Sequence, residues 1–321
     1  MRLATTRAGG RDGTLVVVAD DGQRVLAVED WPTLQTALED WPAAHPALLA
    51  AADRLARGDG AAVTAKDFAA PLPRAWQWLD GSAFAHHGVL MQRAFGSPPS
   101  DPARPLMYQG LSHQFLGPCE DVPLPSEDDG IDFEGEFGVI VDDVPMGCSV
   151  ADALAHVKLV VLINDWSLRT LAPIEMKTGF GWVQAKPACS VAPFAVTPDS
   201  LGDAWSDARV HLDLRVEVNG AWFGNPNGRE MAFGFDELIA HAARTRSLPA
   251  GTIIGSGTVS NSNADVVGSA CLSERRAIEM VAIGSPRTPF LSFGDEVSLN
   301  VTGRQGRTIF GELRQRIVRA S

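Results

Sequence analysis

Short apolar runs separated by turn residues organise this chain. Residues 14–19 and 23–28 are two such runs on either side of Asp20-Asp21-Gly22, a pattern that predicts a pair of strands around a tight turn. Residues 46–57 are rich in Ala and Leu and predict a helix stopped by Gly58-Asp59-Gly60. The Pro-containing stretch 68–73 reads as an extended linker, so residues 1–73 are expected to form a small N-terminal domain and residues 74–321 the larger one. Strand patterns dominate the larger part, at 137–141, 159–163, 210–218, 252–254 and 296–301. Helical patterns are fewer, at 150–155, 231–246 and a short one at 74–78. Residues 97–130 are rich in Pro, Gly and acids and read as a long ordered loop, a kind of segment that usually carries function. Residues 221–228 read as a turn cluster after a strand. The expected fold is mixed α/β, rich in β structure and closed around a polar centre.

One segment breaks the apolar pattern. Phe133, Phe137, Val139 and Val141 alternate as on a strand, yet Glu134 and Glu136 stand among them at i and i+2. Positions i and i+2 share a strand face, so the two carboxylates aim at one point. Asp165 ends the apolar run 159–163 and is a natural third member. Like charges in a dry place repel unless a cation lies between them. Three carboxylates completed by water make an oxygen-rich site suited to Mg²⁺, Mn²⁺ or Ca²⁺. The glutamate pair alone reads equally well as the wet face of a half-exposed strand. Asp165, at the end of a buried strand, shifts the balance towards a metal.

Composition narrows the class. A chain of 321 residues with a formal charge of −12 and no basic run argues against a nucleic-acid partner. Cys119, Cys148, Cys189 and Cys271 are scattered, which suggests neither a zinc framework nor disulfides. The N-terminus lacks an apolar signal region, and no apolar run approaches membrane-spanning length. A soluble cytoplasmic protein is the expectation, without membrane association. There are 8 Trp and 14 Phe but a single Tyr, Tyr108, which is either an accident of composition or the one place that needs a phenol.

Other residues offer chemistry less specifically. His86-His87 follow a Gly/Ser turn, and His113 lies in the loop-like Gly110-Leu111-Ser112-His113. A neutral imidazole near an electrophile is a good base at pH 7, although a structural role is the better reading of any single His taken alone. Lys186 stands in a mostly uncharged stretch. It is either buried against a carboxylate or anionic substrate, or it reaches out to solvent. Gly255-Ser256-Gly257-Thr258 resembles an anion-cradling turn, though most such runs are only turns. The chain has no Gly-x-Ser-x-Gly elbow, no dinucleotide fingerprint opening a helix after a first strand, and no His-Glu-x-x-His.

Together these residues resemble the fumarylacetoacetate hydrolase family. The resemblance covers residues 74–318, with the small N-terminal domain in the expected place. Glu134-Gly135-Glu136 followed by Asn164-Asp165-Trp166-Ser167-Leu168-Arg169 is similar to the family's metal signature. The resemblance implies a fumarylacetoacetase-like β-roll catalytic domain, a homodimer, and Mg²⁺ or Ca²⁺ as cofactor. It implies Asp80 as a further metal ligand beside Glu134, Glu136 and Asp165, and His87 as catalytic base oriented by Glu274. It also implies Lys186 as the active-site lysine, with Arg93, Tyr108, Arg169 and Thr258 holding substrate. The implied substrate is a β-diketo or 2-oxo acid, and the implied reaction is hydrolysis of a carbon–carbon bond in a β-diketo or acylpyruvate-type acid, with 4-fumarylacetoacetate, an intermediate of aromatic amino-acid catabolism, as the leading case. This chain departs from the family pattern after Arg169. Thr170-Leu171-Ala172-Pro173 replaces an Arg-Asp-Ile-Gln run, so a substrate-binding Gln is lost near Ala172. Acylpyruvate hydrolysis, hydration, decarboxylation or isomerisation on the same scaffold, and a silent metal or ligand binder, are the competing expectations.

Overall fold

The computed structural model describes residues 1–96, 101–303 and 306–321. Part of the predicted loop, 97–100, lies outside the described residues. A large, mainly antiparallel sheet runs through the molecule. In spatial order its strands are Ala61–Ala62, Arg24–Ala27, Thr14–Val18, Arg2–Thr6, Ala195–Val196, Val157–Asn164, Gly135–Val141, Ile253–Gly255, Trp78–Ser82 and Leu106–Gln109, with Ser190–Val191 also paired to Val157–Asn164. A second sheet of Ala221–Gly224, Leu214–Val218, Glu296–Val301, Leu313–Arg319 and Val122–Leu124 lies over one face.

The central strands are covered on both faces, which explains their sequences. Phe137 and Val139 pack with Leu214, Leu299 and Phe310 on the side of the second sheet. Ile140, Leu159, Val161 and Ile163 pack on the opposite side with Leu34, Leu38, Leu48 and Leu55 from two N-terminal helices, Leu34–Glu39 and Trp41–Ala56. A strand buried on both faces has no wet side, so residues 159–163 form a continuous apolar run and not an alternating one. The N-terminal segment thus shares sheet and core with the rest. Leu3 pairs with Ala195 in the sheet, and the helices at 34–56 bury their apolar stripe against the central strands.

Several elements differ from the expectation. The helix predicted at 46–57 begins at Trp41, because the buried stripe Ala44, Leu48, Ala51 and Leu55 runs straight through Pro46. No helix forms at 74–78. Trp78 opens a strand that pairs in parallel with Ile253–Gly255, and the Ala75 N–H donates to the Ser112 carbonyl. The predicted long loop contains the strands Leu106–Gln109 and Val122–Leu124. The predicted strand 210–218 is split into Arg209–Val210 and Leu214–Val218, and the turn cluster at 221–228 begins as the strand Ala221–Gly224. The helix predicted at 231–246 is confined to Phe235–Ala242, with the Glu237 carboxylate accepting from the Gly234 N–H at 2.8 Å. Two unforeseen helices, Ala85–Phe95 and Leu272–Ile283, pack against each other beside the sheet. Among the described residues no helix is long and apolar enough to cross a membrane.

Candidate active site

Four carboxylates meet where the central strands end. Asp80 lies within Trp78–Ser82, Glu136 within Gly135–Val141 and Glu134 just before it, while Asp165 follows Val157–Asn164. All four are buried, Glu136 and Asp165 completely. One oxygen from each lies within 4.8 Å of the others. The backbone fixes this arrangement. Glu136 is registered opposite Ile163, and the Asp165 N–H donates to the Glu134 carbonyl at 3.0 Å. Gly255, on the strand between those of Glu136 and Asp80, makes room for both. A Cβ there would stand 2.4 Å from Asp80 Oδ1 and 3.0 Å from Glu136 Oε2. Gly257, at φ +75°, turns its N–H onto Asp80 Oδ1 at 3.1 Å, a left-handed conformation that favours glycine.

Compensation within the cluster is lopsided. Lys186 Nζ donates to Asp165 Oδ2 at 2.6 Å, to Ser167 Oγ at 2.8 Å and to Glu134 Oε2 at 3.2 Å. Arg169 bridges Glu134 Oε1 at 2.5 Å and Asp132 Oδ2 at 2.8 Å. Burial alone would raise the Glu134 pKa, but Lys186 and Arg169 outweigh it and hold the carboxyl below the usual range. Glu136 has neither: no donor of another kind reaches its two buried oxygens, and the neighbour with which it can share a proton, Asp80, is itself a carboxyl. Burial, then Asp80 and Asp165, push Glu136 well up, and burial with Asp165 does the same to Asp80. A buried carboxylate so poorly compensated, among three others, is what a hard divalent cation relieves, and an all-oxygen donor set suits one. The residues present therefore fit a divalent metal held by Asp80, Glu134, Glu136 and Asp165.

A second group adjoins the first. His87, in the first turn of Ala85–Phe95, places a ring nitrogen within 4.8 Å of Cys271 Sγ and a Glu274 carboxylate oxygen. The helix carrying Glu274 starts there because Asp132 receives the N–H groups of Leu272 at 2.7 Å and Ser273 at 2.9 Å. Burial pushes His87 down to about 4 and Glu274 up to about 7, although the Ser260 hydroxyl donates to Glu274. His87 also feels the charges of Glu134, Arg169 and Lys186. Tyr108 donates its hydroxyl to Asp165 Oδ2 at 2.7 Å, and its ring meets Trp182 edge-on at 4.8 Å. Thr258 is buried in the turn that carries Gly257.

Not every candidate joins this site. Arg93 is exposed in the last turn of its helix, away from the His87 end. His113 is exposed beside Trp76 and Arg74, on a pocket of about 310 Å³ that contains none of the four carboxylates. His86 is half-buried next to His87. Arg169, expected to hold substrate, is engaged with Asp132 and Glu134, and Lys186 directs all three of its donors at the site itself. Asp132, Ser167, Trp182, Cys189 and Cys271 carry no site role in the sequence pattern, although Asp132 stands two residues before Glu134 and Ser167 two residues after Asp165.

The fumarylacetoacetate (FAA) hydrolase C-terminal family model matches residues 77–318. The chain belongs to the fumarylacetoacetate hydrolase family. The model for fumarylacetoacetase N-terminal domain 2 matches residues 1–74 of this family member. Among curated members, it is 31% identical over 160 residues (49% of this chain, 53% of the relative) to the 2,4-didehydro-3-deoxy-L-rhamnonate hydrolase of Sphingomonas sp. (strain SKA58). It is 27% identical over 160 residues, 49% of each chain, to the mitochondrial oxaloacetate tautomerase FAHD2B of Homo sapiens. The matches span about half the length of these relatives. Solved structures of the same fold include the maleylpyruvate hydrolase of Sphingobium sp. SYK-6 in complex with manganese(II) and pyruvate. It has a TM-score of 0.68 and 19% identity, with 100% of both chains covered. The 2-hydroxyhepta-2,4-diene-1,7-dioate isomerase of Mycobacterium marinum has a TM-score of 0.63 and 19% identity, covering 99% of this chain and 98% of that one. By name, these similar proteins include hydrolases, a tautomerase and an isomerase.

Proposed function

We propose that this protein is a divalent-metal-dependent hydrolase of a carbon–carbon bond in a β-diketo or acylpyruvate-type acid, with 4-fumarylacetoacetate the first substrate to test. The observation that carries the reading is the meeting of four buried carboxylates, one of them poorly compensated, with a neutral imidazole beside them. Asp80, Glu134, Glu136 and Asp165 would hold a divalent cation, Mg²⁺ in the first instance, which would supply Lewis acidity for the enolate charge of carbon–carbon cleavage. His87, held neutral by burial, is proposed to accept a proton from water. An ionised Glu274 steadies the imidazolium that results. Lys186 contributes positive charge on the same space, and its longest contact, 3.2 Å to Glu134, is the donor easiest to redirect to a substrate oxygen. Tyr108 and Trp182 wall the Lys186 side, with Lys186 Nζ 5.4 Å and 5.7 Å from the two ring centres. Thr258 and Tyr108 are proposed to receive the substrate's carboxylate end, and the active unit to be a homodimer.

A second reading, keto–enol isomerisation of a 2-oxo acid such as oxaloacetate, is favoured by the tautomerases among the curated relatives. It needs proton transfer without attack by water. The two separate by products. The protein is incubated with Mg²⁺ and 4-fumarylacetoacetate, an acylpyruvate or oxaloacetate, and the carbon skeletons are followed by NMR. Appearance of two shorter acids supports the hydrolase. An intact skeleton with accelerated keto–enol exchange contradicts it and selects the isomerase.

A further inference from the structure

We infer that a thiophilic divalent cation, Zn²⁺ in the first instance, binds at a second and softer site formed by His87, Cys271 and Glu274, where it disables the proposed base. The donors are already gathered: a ring nitrogen, a sulfur and a carboxylate oxygen lie within 4.8 Å of one another. Tetrahedral zinc, with bonds of about 2.0–2.3 Å, needs donor atoms roughly 3.3–3.7 Å apart, so small side-chain adjustments suffice. The donors also have capacity to spare. His87 Nδ1 and Glu274 Oε2 are both buried without a hydrogen-bond partner, and Glu274 is fully buried. Cys271 Sγ accepts from the Glu274 N–H at 3.2 Å. Met91, one helical turn beyond His87, brings a second sulfur to the same helix junction, where Ser273 Oγ meets its Sδ at 3.6 Å.

The two sites differ in kind. The carboxylate cluster offers oxygen only and selects hard ions, whereas imidazole and thiolate select zinc and its neighbours. On binding, the Cys271 S–H bond breaks, the proton leaves to solvent and the sulfur takes the metal. The other buried cysteine of this region, Cys189, lies against Asp165 Oδ1 at 2.9 Å and belongs to the carboxylate side. The binding part of the inference stands on these donors alone. The inhibition part rests on the reading of His87 as base.

Cobalt(II) tests it, because a cysteine ligand gives Co²⁺ an intense thiolate-to-metal charge-transfer band. The full-length protein is saturated with Mg²⁺ and titrated with Co²⁺. The expected result is a charge-transfer band that saturates at one equivalent and is displaced by Zn²⁺. It persists in Cys189→Ser and vanishes in Cys271→Ser, a substitution that keeps a good N-cap for the helix. A wild-type protein without the band overturns the inference whatever the variants do, and so does a band that survives Cys271→Ser or requires Cys189. In the turnover assay, Cys271→Ser should raise the Zn²⁺ needed for half-inhibition about tenfold or more. Equal inhibition of wild type and variant overturns the regulatory part. Failure of the base assignment itself would show separately, as unimpaired turnover in metal-replete His87→Ala.

Discussion

Replacing Glu136 by Gln tests the metal assignment through its sign. In the metal-free protein Glu136 is buried with no donor but a neighbouring carboxyl, and burial with Asp80 and Asp165 raises its pKa. A carboxyl whose folded pKa is raised loses stability as pH climbs from its ordinary range through the raised value. Gln carries no charge, so metal-free Glu136→Gln should be at least as stable as wild type, and the gap should widen with pH. Metal reverses the order. At a Mg²⁺ concentration 100 times its Kd, binding stabilises the wild type by about 2.7 kcal/mol. Unfolding entropy of about 2.1 cal/mol/K per residue over 321 residues gives about 0.7 kcal/mol/K, so the Tm should rise by about 4 °C. A variant bound a hundredfold more weakly keeps about 0.4 kcal/mol, a shift under about 1 °C. Thermal melts of both proteins, in EDTA and across a Mg²⁺ series, read this out. A variant that retains the full Mg²⁺ shift refutes the placement of the cation on Glu136.

His87→Ala should lower turnover by about 10²–10⁴-fold while sparing the Mg²⁺ thermal shift, whereas His113→Ala, on the exposed side pocket, should match wild type; the opposite pair of results would move the base to His113. The kcat/KM of wild type should rise through an apparent pKa of about 7, because Glu274 is protonated below that value and must be ionised to steady the imidazolium, and this limb should disappear in Glu274→Gln. His87, held near 4, stays neutral across the same range and adds no limb there. Gly255→Ala should lose about 1–3 kcal/mol in chemical denaturation and blunt the metal shift, since the new Cβ would stand 2.4 Å from both Asp80 Oδ1 and the fully buried Trp78 ring.

How much of this was legible follows from where the information lies. Glu134, Glu136 and Asp165 stood out because a carboxylate inside an apolar strand is locally anomalous, and local anomalies survive in one dimension. Asp80 did not stand out. Leu79-Asp80-Gly81-Ser82 reads as a turn, and only parallel pairing with residues 253–255, far along the chain, makes it a strand. For Asp80, His87 and Glu274 the family resemblance supplied what the residue pattern could not. The helix of Glu274 is hidden for a similar reason: its start is capped by Asp132, 140 positions earlier. Lys186 showed as a lone charge in an apolar stretch, but its three partners come from Glu134, Asp165 and Ser167. Arg169 illustrates the limit from the other direction. Its position in the motif suggested a substrate contact, while the fold turns its guanidinium onto Asp132 and Glu134, which need a cation in order to be buried. Two Gly positions, 255 and 257, have tertiary reasons for being Gly that no local turn rule reveals.

The most direct test of the central claim is the decay of the β-diketone absorbance of 4-fumarylacetoacetate, first with Mg²⁺, then with excess EDTA, then with Mg²⁺ restored. The account predicts decay with fumarate and acetoacetate as products, its arrest by EDTA and its return with the metal. Decay that continues unchanged in EDTA, from protein shown to be metal-free, would contradict it.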